Sequence, residues 1–150
     1  MKEFTIYTDG SSRGNPGPGG WAAILLQDNE TRELGGREEH TTNNRMELKA
    51  AIEGLKVVPV GSKVNLVADS EYVVKGITLW IKGWLAKNWR TAAKKPVLNQ
   101  DLWQELLKAA EGKTIEWKVV LGHSGVEHNE RADVIATSFA DNAPVELRGK

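Results

Sequence analysis

A cysteine-free chain of 150 residues is long enough for one domain with its own core, and it excludes a disulfide framework and any thiolate-based zinc or redox site. The formal net charge is zero, 20 basic residues against 20 acidic, so the total neither implies nor excludes a polyanionic partner. No apolar run is long enough to span a bilayer and the amino terminus MKEFTIYTDG lacks an apolar signal region, which leads us to expect a soluble cytoplasmic protein with no membrane partner.

Phe4, Ile6 and Thr8 alternate with Thr5, Tyr7 and Asp9, the period of a half-buried strand, and the glycine-rich run from Gly10 to Gly20 is expected to end it at Asp9. On its own, Asp9-Gly10 reads as a turn. Trp21 to Gln27 reads as a central strand, Asp28-Asn29-Glu30 as a tight turn, and Thr31 to Glu39 as a more polar returning strand with an edge or bulge at Gly35-Gly36. A helix follows, with Asn44 and Glu47 at capping-box spacing and Leu48, Ala51, Ile52 and Leu55 as the packed stripe, stopped by Pro59 and Gly61. Taken alone, Glu47 reads equally as a capping carboxylate in the first turn and as a functional one.

Val64 to Ala68 is a short strand ending at Asp69, with Ser70 as cap of a helical pattern that runs through Val73, Val74, Ile77, Trp80, Ile81 and Trp84, is interrupted by Gly76 and Gly83, and frays near Asn88-Trp89. Lys94-Lys95-Pro96 reads as a loop. Asp101 with Gln104 reads as the start of a further helix to Ala110, and residues 115–121 as a final strand running into Gly122-His123-Ser124-Gly125. The last helix opens near Asn129 and carries Asp133 beside its inward face. Residues 143–150 have no pattern and are expected to form a loose tail on a single domain covering residues 1–142. An opening meander followed by strand-helix-strand crossovers predicts an α/β fold with a mixed five-stranded sheet, part antiparallel and part parallel, flanked by helices.

Asp9, Glu47, Asp69 and Asp133 share one kind of place, the mouths of elements that pack on one sheet. Two carboxylates about 4 Å apart repel by roughly 1 kcal/mol in water and about 4 kcal/mol at an effective dielectric near 20, so four that meet require a cation. Twenty acids will put some at element ends by chance, and on spacing alone a shared site and scattered acids stand about even. An all-oxygen set suits Mg²⁺ or Mn²⁺, and the missing cysteine and H-E-x-x-H pattern argue against zinc. Two such ions bridged by carboxylates are suited to phosphodiester hydrolysis, one activating the attacking water and one stabilising the leaving oxygen.

The charge distribution favours that chemistry. No Asp or Glu lies between Glu71 and Asp101, where Lys75, Lys82, Lys87, Arg90, Lys94 and Lys95 fall; removing those six leaves 14 basic residues against 20 acidic. Trp80, Trp84 and Trp89 interleave with these cations, offering rings for sugars or bases, although the spacing of Trp80 and Trp84 also suits the core. Asn15, Thr42, Asn43 and Asn44 are uncharged hydrogen-bonding side chains able to touch phosphate or ribose without sequence preference, and each is equally able to cap or turn the backbone. His123, between glycines in a loop, suits proton transfer near a metal-activated water. His40 and His128 read as surface residues.

Five ordered blocks, TDGSSRGNPGPGGW, TTNNRMEL, ADSEYVVKGI, WIKGWLAKNWRTAAKKPVLNQDLW and GHSGVEHNERAD, resemble ribonuclease HI of the bacterial type from Phe4 to about Asn142. The resemblance implies an RNase H-like fold and Mg²⁺-dependent endonucleolytic cleavage of the RNA strand of an RNA/DNA hybrid, leaving 5′-phosphate and 3′-hydroxyl ends. It implies Asp9, Glu47, Asp69 and Asp133 as catalytic metal ligands and His123 as the catalytic histidine. It also implies Asn15 and Thr42 at a DNA phosphate, Asn43 and Asn44 on the hybrid, and Trp80, Lys82, Trp84, Lys87, Trp89, Arg90, Lys94 and Lys95 in a basic protrusion that grips the DNA strand. Three positions depart from it: Glu71 stands where a glutamine is common, which argues against a minor-groove contact there because a carboxylate cannot donate, and Leu85 and Leu98 stand where basic residues are frequent, so lower hybrid affinity and a shallower salt slope are expected. A monomer needing no protein partner is expected. A binding-only module that coats hybrids, and a nuclease or strand-transfer enzyme acting on DNA, are the competing classes; the first has no use for four converging acids.

Overall fold

In the computed structural model, which describes residues 2–120 and 127–149, the alternation beginning at Phe4 forms β1 (Glu3–Ser12), the hub of a five-stranded sheet. β2 (Gly17–Gln27) and β3 (Glu30–Thr41) continue the antiparallel meander, and β4 (Lys63–Ala68) and β5 (Thr114–Val119) add in parallel on the other side, giving the order β3-β2-β1-β4-β5. The mixed sheet is the one expected.

β1 does not stop at Asp9. Its antiparallel ladder with β2 runs on to Ser12 opposite Gly19, whereas its parallel ladder with β4 ends at Thr8 opposite Ala68. The glycine-rich partner still offers backbone N–H and C=O groups, so pairing outlasts the side-chain alternation. For the same reason β2 begins at Gly17 rather than Trp21, with its irregularity between Gly17 and Gly19 rather than at Gly35-Gly36.

The helices are α1 (Asn43–Lys56), α2 (Glu71–Lys75), α3 (Ile81–Ala86), α4 (Gln100–Ala110) and α5 (Glu127–Ala140), with a π-helical turn, Gly76–Trp80, between α2 and α3. Ile6, Ala23, Leu25 and Leu66 bury one sheet face under Leu48, Ile52, Leu55, Leu102 and Leu106, and Ala22 and Ile24 bury the other under Ala132, Ile135 and Ala136. Gly20 is where α5 comes closest: a Cβ there would run into the Ala136 carbonyl and the Ala140 nitrogen.

Two helix starts differ from expectation. α1 is capped by Thr42, whose Oγ1 accepts the Arg45 N–H at 3.2 Å, so Glu47 is the fifth helical residue and caps nothing. Four polar residues in a row, Thr41 to Asn44, left the cap ambiguous. Asp101 is likewise no cap: α4 starts after Asn99, which is left-handed (φ 62°), and Asp101 instead accepts Arg45 Nη2 at 2.8 Å. Ser70 does cap α2, accepting the Val73 N–H at 3.3 Å.

The segment after Asn142 shows no periodicity, yet it runs beside edge strand β3. The Glu33 N–H donates to the Arg148 carbonyl at 2.8 Å, and Val145 and Leu147 pack on the Ala22/Ile24 cluster. Contact through backbone groups leaves no side-chain signature, and it covers unpaired groups of the strand edge. His128 is not purely a surface residue, since its ring lies 5.1 Å from that of Tyr7. Among the described residues no helix is long and apolar enough to cross a membrane.

Candidate active site

Thr8 and Ala68 are the last partners of the parallel ladder, so the next residues, Asp9 and Asp69, emerge side by side. Asp9 Oδ1 accepts its neighbour's N–H, from Gly10, at 2.8 Å. Gly10 then lets α1 settle against the strand: a Cβ at this position would meet the Met46 carbonyl carbon and the Glu47 nitrogen. That approach delivers Glu47 to the two aspartates. Carboxylate oxygens of Asp9, Glu47 and Asp69 all lie within 4.8 Å of one another.

Three carboxylates so placed resist ionising together. The Asp9 carboxyl is pushed up to about 9, first by burial, then by the charge of Asp69 and a hydrogen bond with it, then by Asp133 in the same two ways. Glu47 is raised well above the usual carboxylate range, by burial first and then by Asp69 and Asp9. Asp133, on the second turn of α5, therefore joins the group through Asp9. In place of protons, a hard divalent cation would relieve this crowding, and an all-oxygen donor set is the kind Mg²⁺ or Mn²⁺ takes.

At the start of α1 is a groove of about 310 Å³ lined by Asn15, Thr42, Asn43, Asn44, Leu98 and Asn99. Asn15 Oδ1 accepts the Asn43 N–H at 2.9 Å, which ties the loop after β1 to the start of α1 and leaves the amide NH₂ of Asn15 able to donate. A second groove, about 250 Å³, lies on the acid-free segment between Trp80, Trp84, Lys87 and Arg90. Its aromatic floor is continuous with the core: Trp84 lies 5.3 Å from the buried Trp103 and 6.0 Å from the more exposed Trp80, and Trp89 packs 6.3 Å from Trp84. Lys82, Lys87, Arg90, Lys94 and Lys95 make no ion pair with a carboxylate among the described residues, whereas Lys75 is paired with Glu71 at 3.2 Å. His123 lies outside the described residues.

Asn99 of the first groove, and Arg45 hydrogen-bonded to it, went unmarked in the sequence. Arg45 forks onto Asp101 at 2.8 and 3.0 Å and donates to Asn99 Oδ1 at 3.3 Å; Asn99 Nδ2 in turn donates to the Tyr72 hydroxyl at 3.1 Å. The available signal was Asn99 itself, a residue type that tolerates the left-handed conformation, directly ahead of a helix.

Acids gathered at the ends of adjoining parallel strands, in a chain that also carries a basic tryptophan-bearing segment, fit the class of metal-dependent nucleases to which ribonuclease H belongs. The RNase H family model matches residues 1–141, and the chain belongs to that family, whose members are metal-dependent ribonucleases acting on RNA/DNA hybrids. It is 53% identical over 141 residues to the ribonuclease H of Hydrogenovibrio crunogenus, covering 94% of this chain and 97% of that one. It is also 53% identical over 147 residues to that of Thermosynechococcus vestitus, covering 95% and 92%. The crystal structure of LC9-RNase H1, a type 1 RNase H with the type 2 active-site motif, superposes with a TM-score of 0.86 at 30% identity, over 99% of this chain and 76% of that one. RNase H1 of Halobacterium salinarum superposes with a TM-score of 0.64 at 29% identity, over 94% and 99%.

Proposed function

We propose that this ribonuclease H hydrolyses the RNA strand of RNA/DNA hybrids at the site formed by Asp9, Glu47, Asp69 and Asp133, with two Mg²⁺ ions and release of 5′-phosphate and 3′-hydroxyl ends. The convergence of Asp9, Glu47 and Asp69 within 4.8 Å is the observation that carries the reading. Divalent ions bound there supply Lewis-acid chemistry, lowering the pKa of water and neutralising charge on the leaving oxygen.

The chain's own residues hold the substrate in register. Thr42 and Asn15 are fixed by the backbone N–H groups they accept, so their remaining donors serve phosphate at little further entropic cost. Uncharged donors of this kind can hold phosphate or ribose without sequence preference. Lys82, Lys87, Arg90, Lys94 and Lys95 attract the hybrid, and Trp80 and Trp84 supply rings against its sugars. Discrimination for RNA falls to 2′-hydroxyl contacts at the scissile strand. His123 carries a proton to or from the reacting phosphate. In this reading the enzyme acts as a monomer in the cytoplasm.

The test offers end-labelled hybrid and DNA duplex to the parent and to Asp9→Asn, with and without Mg²⁺. Cleavage of the RNA strand by the parent with Mg²⁺ only, and none by the variant, is expected. Intact RNA in every lane would make the protein a hybrid-binding module, and cleavage of the duplex would make it a DNA nuclease.

A further inference from the structure

We infer that Glu33, on edge strand β3 and remote in sequence from all four acids, is a positioning residue that fixes the roll of α5 and so the placement of Asp133. The inference rests on the four carboxylates being a metal site.

Glu33 is the most buried acid in an ion pair among the described residues, with 1% of its side chain exposed. One oxygen, Oε2, accepts Arg131 Nε at 2.8 Å; the other accepts Arg131 Nη2 and the Arg148 N–H, both at 2.9 Å. Arg131 Nη2 also donates to the Glu146 carbonyl at 2.9 Å. A single carboxylate thus joins an edge strand, a helix and the carboxyl-terminal segment. The bidentate geometry sets direction as well as distance.

Arg131 is two residues before Asp133, and at about 100° per residue the two project from nearly opposite sides of the helix. Asp133 reaches Asp9 on β1 while Arg131 reaches Glu33 on β3, so any roll of α5 that loosens one displaces the other. The far end of the helix has separate anchors: Arg37 Nη1 donates to the Phe139 and Ala140 carbonyls at 3.1 and 2.7 Å, and Arg13 pairs with Asp141. Toward its amino-terminal end, besides the His128 ring against Tyr7 and the Asp133–Asp9 contact that it would steady, the Glu33–Arg131 fork is the charged tie to the sheet among the described residues. A ring contact tolerates sliding; a charged fork does not.

The test uses Glu33→Gln and Glu33→Asp, with Val58→Ala as a control that is destabilised in the core away from α5. Thermal unfolding in chelator and calorimetric titration of the substrate-free protein with Mn²⁺ are measured on each, followed by hybrid cleavage at varied Mg²⁺. For Glu33→Gln we expect roughly tenfold weaker Mn²⁺ binding, the scale of losses when a residue orienting a ligand is removed, with KM for hybrid unchanged within about twofold. Glu33→Asp, which keeps the charge, should recover part of that loss, and Val58→Ala should lower Tm with Mn²⁺ affinity intact. If Glu33→Gln does not fold, deleting residues 143–150 removes the partners Glu146 and Arg148 and is expected to weaken Mn²⁺ binding in the same direction. Mn²⁺ affinity that stays at the parent's value while Tm falls as in the control would overturn the inference; a parent that binds no Mn²⁺ would instead overturn the metal-site reading beneath it.

Discussion

The backbone nitrogen of Glu47 occupies the space that a side chain at Gly10 would need. Strand β1 and helix α1 touch there without any intervening atom, and the contact brings Glu47 from a different element to the side of Asp9. The obstructing atoms are backbone, including the Met46 carbonyl oxygen 2.8 Å from the ideal Cβ position, so they cannot swing aside as a side chain would.

Gly10→Ala is therefore expected to push α1 off the strand and to cost about 3 kcal/mol of stability, the upper range for overpacking a core. For a chain of this length that corresponds to a fall in Tm of about 6–12 °C. Activity should fall further than stability explains, by about a hundredfold at a temperature where the variant is folded, because a displacement near 1 Å in a catalytic group has that scale. Thermal unfolding followed by circular dichroism and a cleavage assay at 25 °C check both parts; a variant within 2 °C of the parent would contradict the contact.

The raised Asp9 carboxyl has a consequence for stability without metal. Unfolded, Asp9 ionises near 3.8; folded, it holds its proton to about 9, mainly because it is buried. Between those values the folded chain binds a proton that the unfolded chain has released, so this group's contribution falls as pH rises through the window and levels off above it. Glu47 adds in the same direction. Asp9→Asn should accordingly be more stable than the parent in chelator at neutral pH, by about 1–3 kcal/mol, because the folded parent must there hold a proton that its unfolded chain has released, whereas the amide titrates in neither state. The gap should close toward pH 4, and saturating Mg²⁺ should raise the Tm of the parent more than that of the variant. Tm measured across pH for the pair, with and without metal, isolates this site from carboxylates elsewhere. A gap that widens toward low pH would sink the assignment.

Much of this arrangement was legible in the residues because it depends on side-chain pattern. Alternation at Phe4 to Thr8, the Leu48/Ile52/Leu55 stripe and the apolar Val64 to Ala68 place the sheet and α1, and the two aspartates follow from where β1 and β4 stop pairing with each other. What was misread depends on backbone. The choice of Thr42 over Asn44 as cap, the left-handed Asn99 ahead of α4, the run of β1 beyond Asp9 and the docking of residues after Asn142 on Glu33 are all decided by N–H and C=O partners that no periodicity records. The interruption expected at Gly76 falls where α2 gives way to the π-helical turn against the buried Trp103, whereas the one expected at Gly83 is absent, since Gly83 lies inside α3.

Lys94 has φ 64°, a conformation that costs a residue with a Cβ roughly 1–2 kcal/mol. The fold keeps it there through the turn in which the Lys94 N–H donates to the Thr91 carbonyl at 2.9 Å. Lys94→Gly relieves the strain but gives back some of it as extra freedom in the unfolded chain, so a net gain of about 1 kcal/mol is expected. Hybrid affinity should move the other way if Lys94 belongs to the proposed hybrid-binding surface, since one cation is lost. Opposite signs in a denaturant titration and a binding titration on the same variant are the required pattern; a loss of stability would mean that the lysine side chain makes a compensating contact.

Leu85 and Leu98 are 52% and 74% exposed, and Leu98 lines the groove beside Asn15 and Thr42. Little apolar area is buried at either position, so Leu85→Lys and Leu98→Lys should leave Tm within about 1 °C, as surface substitutions stay within about 0.5 kcal/mol. Each added cation that reaches a phosphate releases counterions from the hybrid. The slope of log affinity against log salt should steepen by roughly 0.7–0.9 per contact, and binding should tighten most at low salt. Leu98→Lys has the added effect of placing a charge among the uncharged donors of the groove, so it should tighten binding more than Leu85→Lys if a phosphate is held there. Fluorescence anisotropy on Asp9→Asn backgrounds without divalent metal, across a salt series, measures both slopes. Equal slopes for parent and Leu98→Lys would show that the Asn15/Thr42 groove does not receive the nucleic-acid backbone.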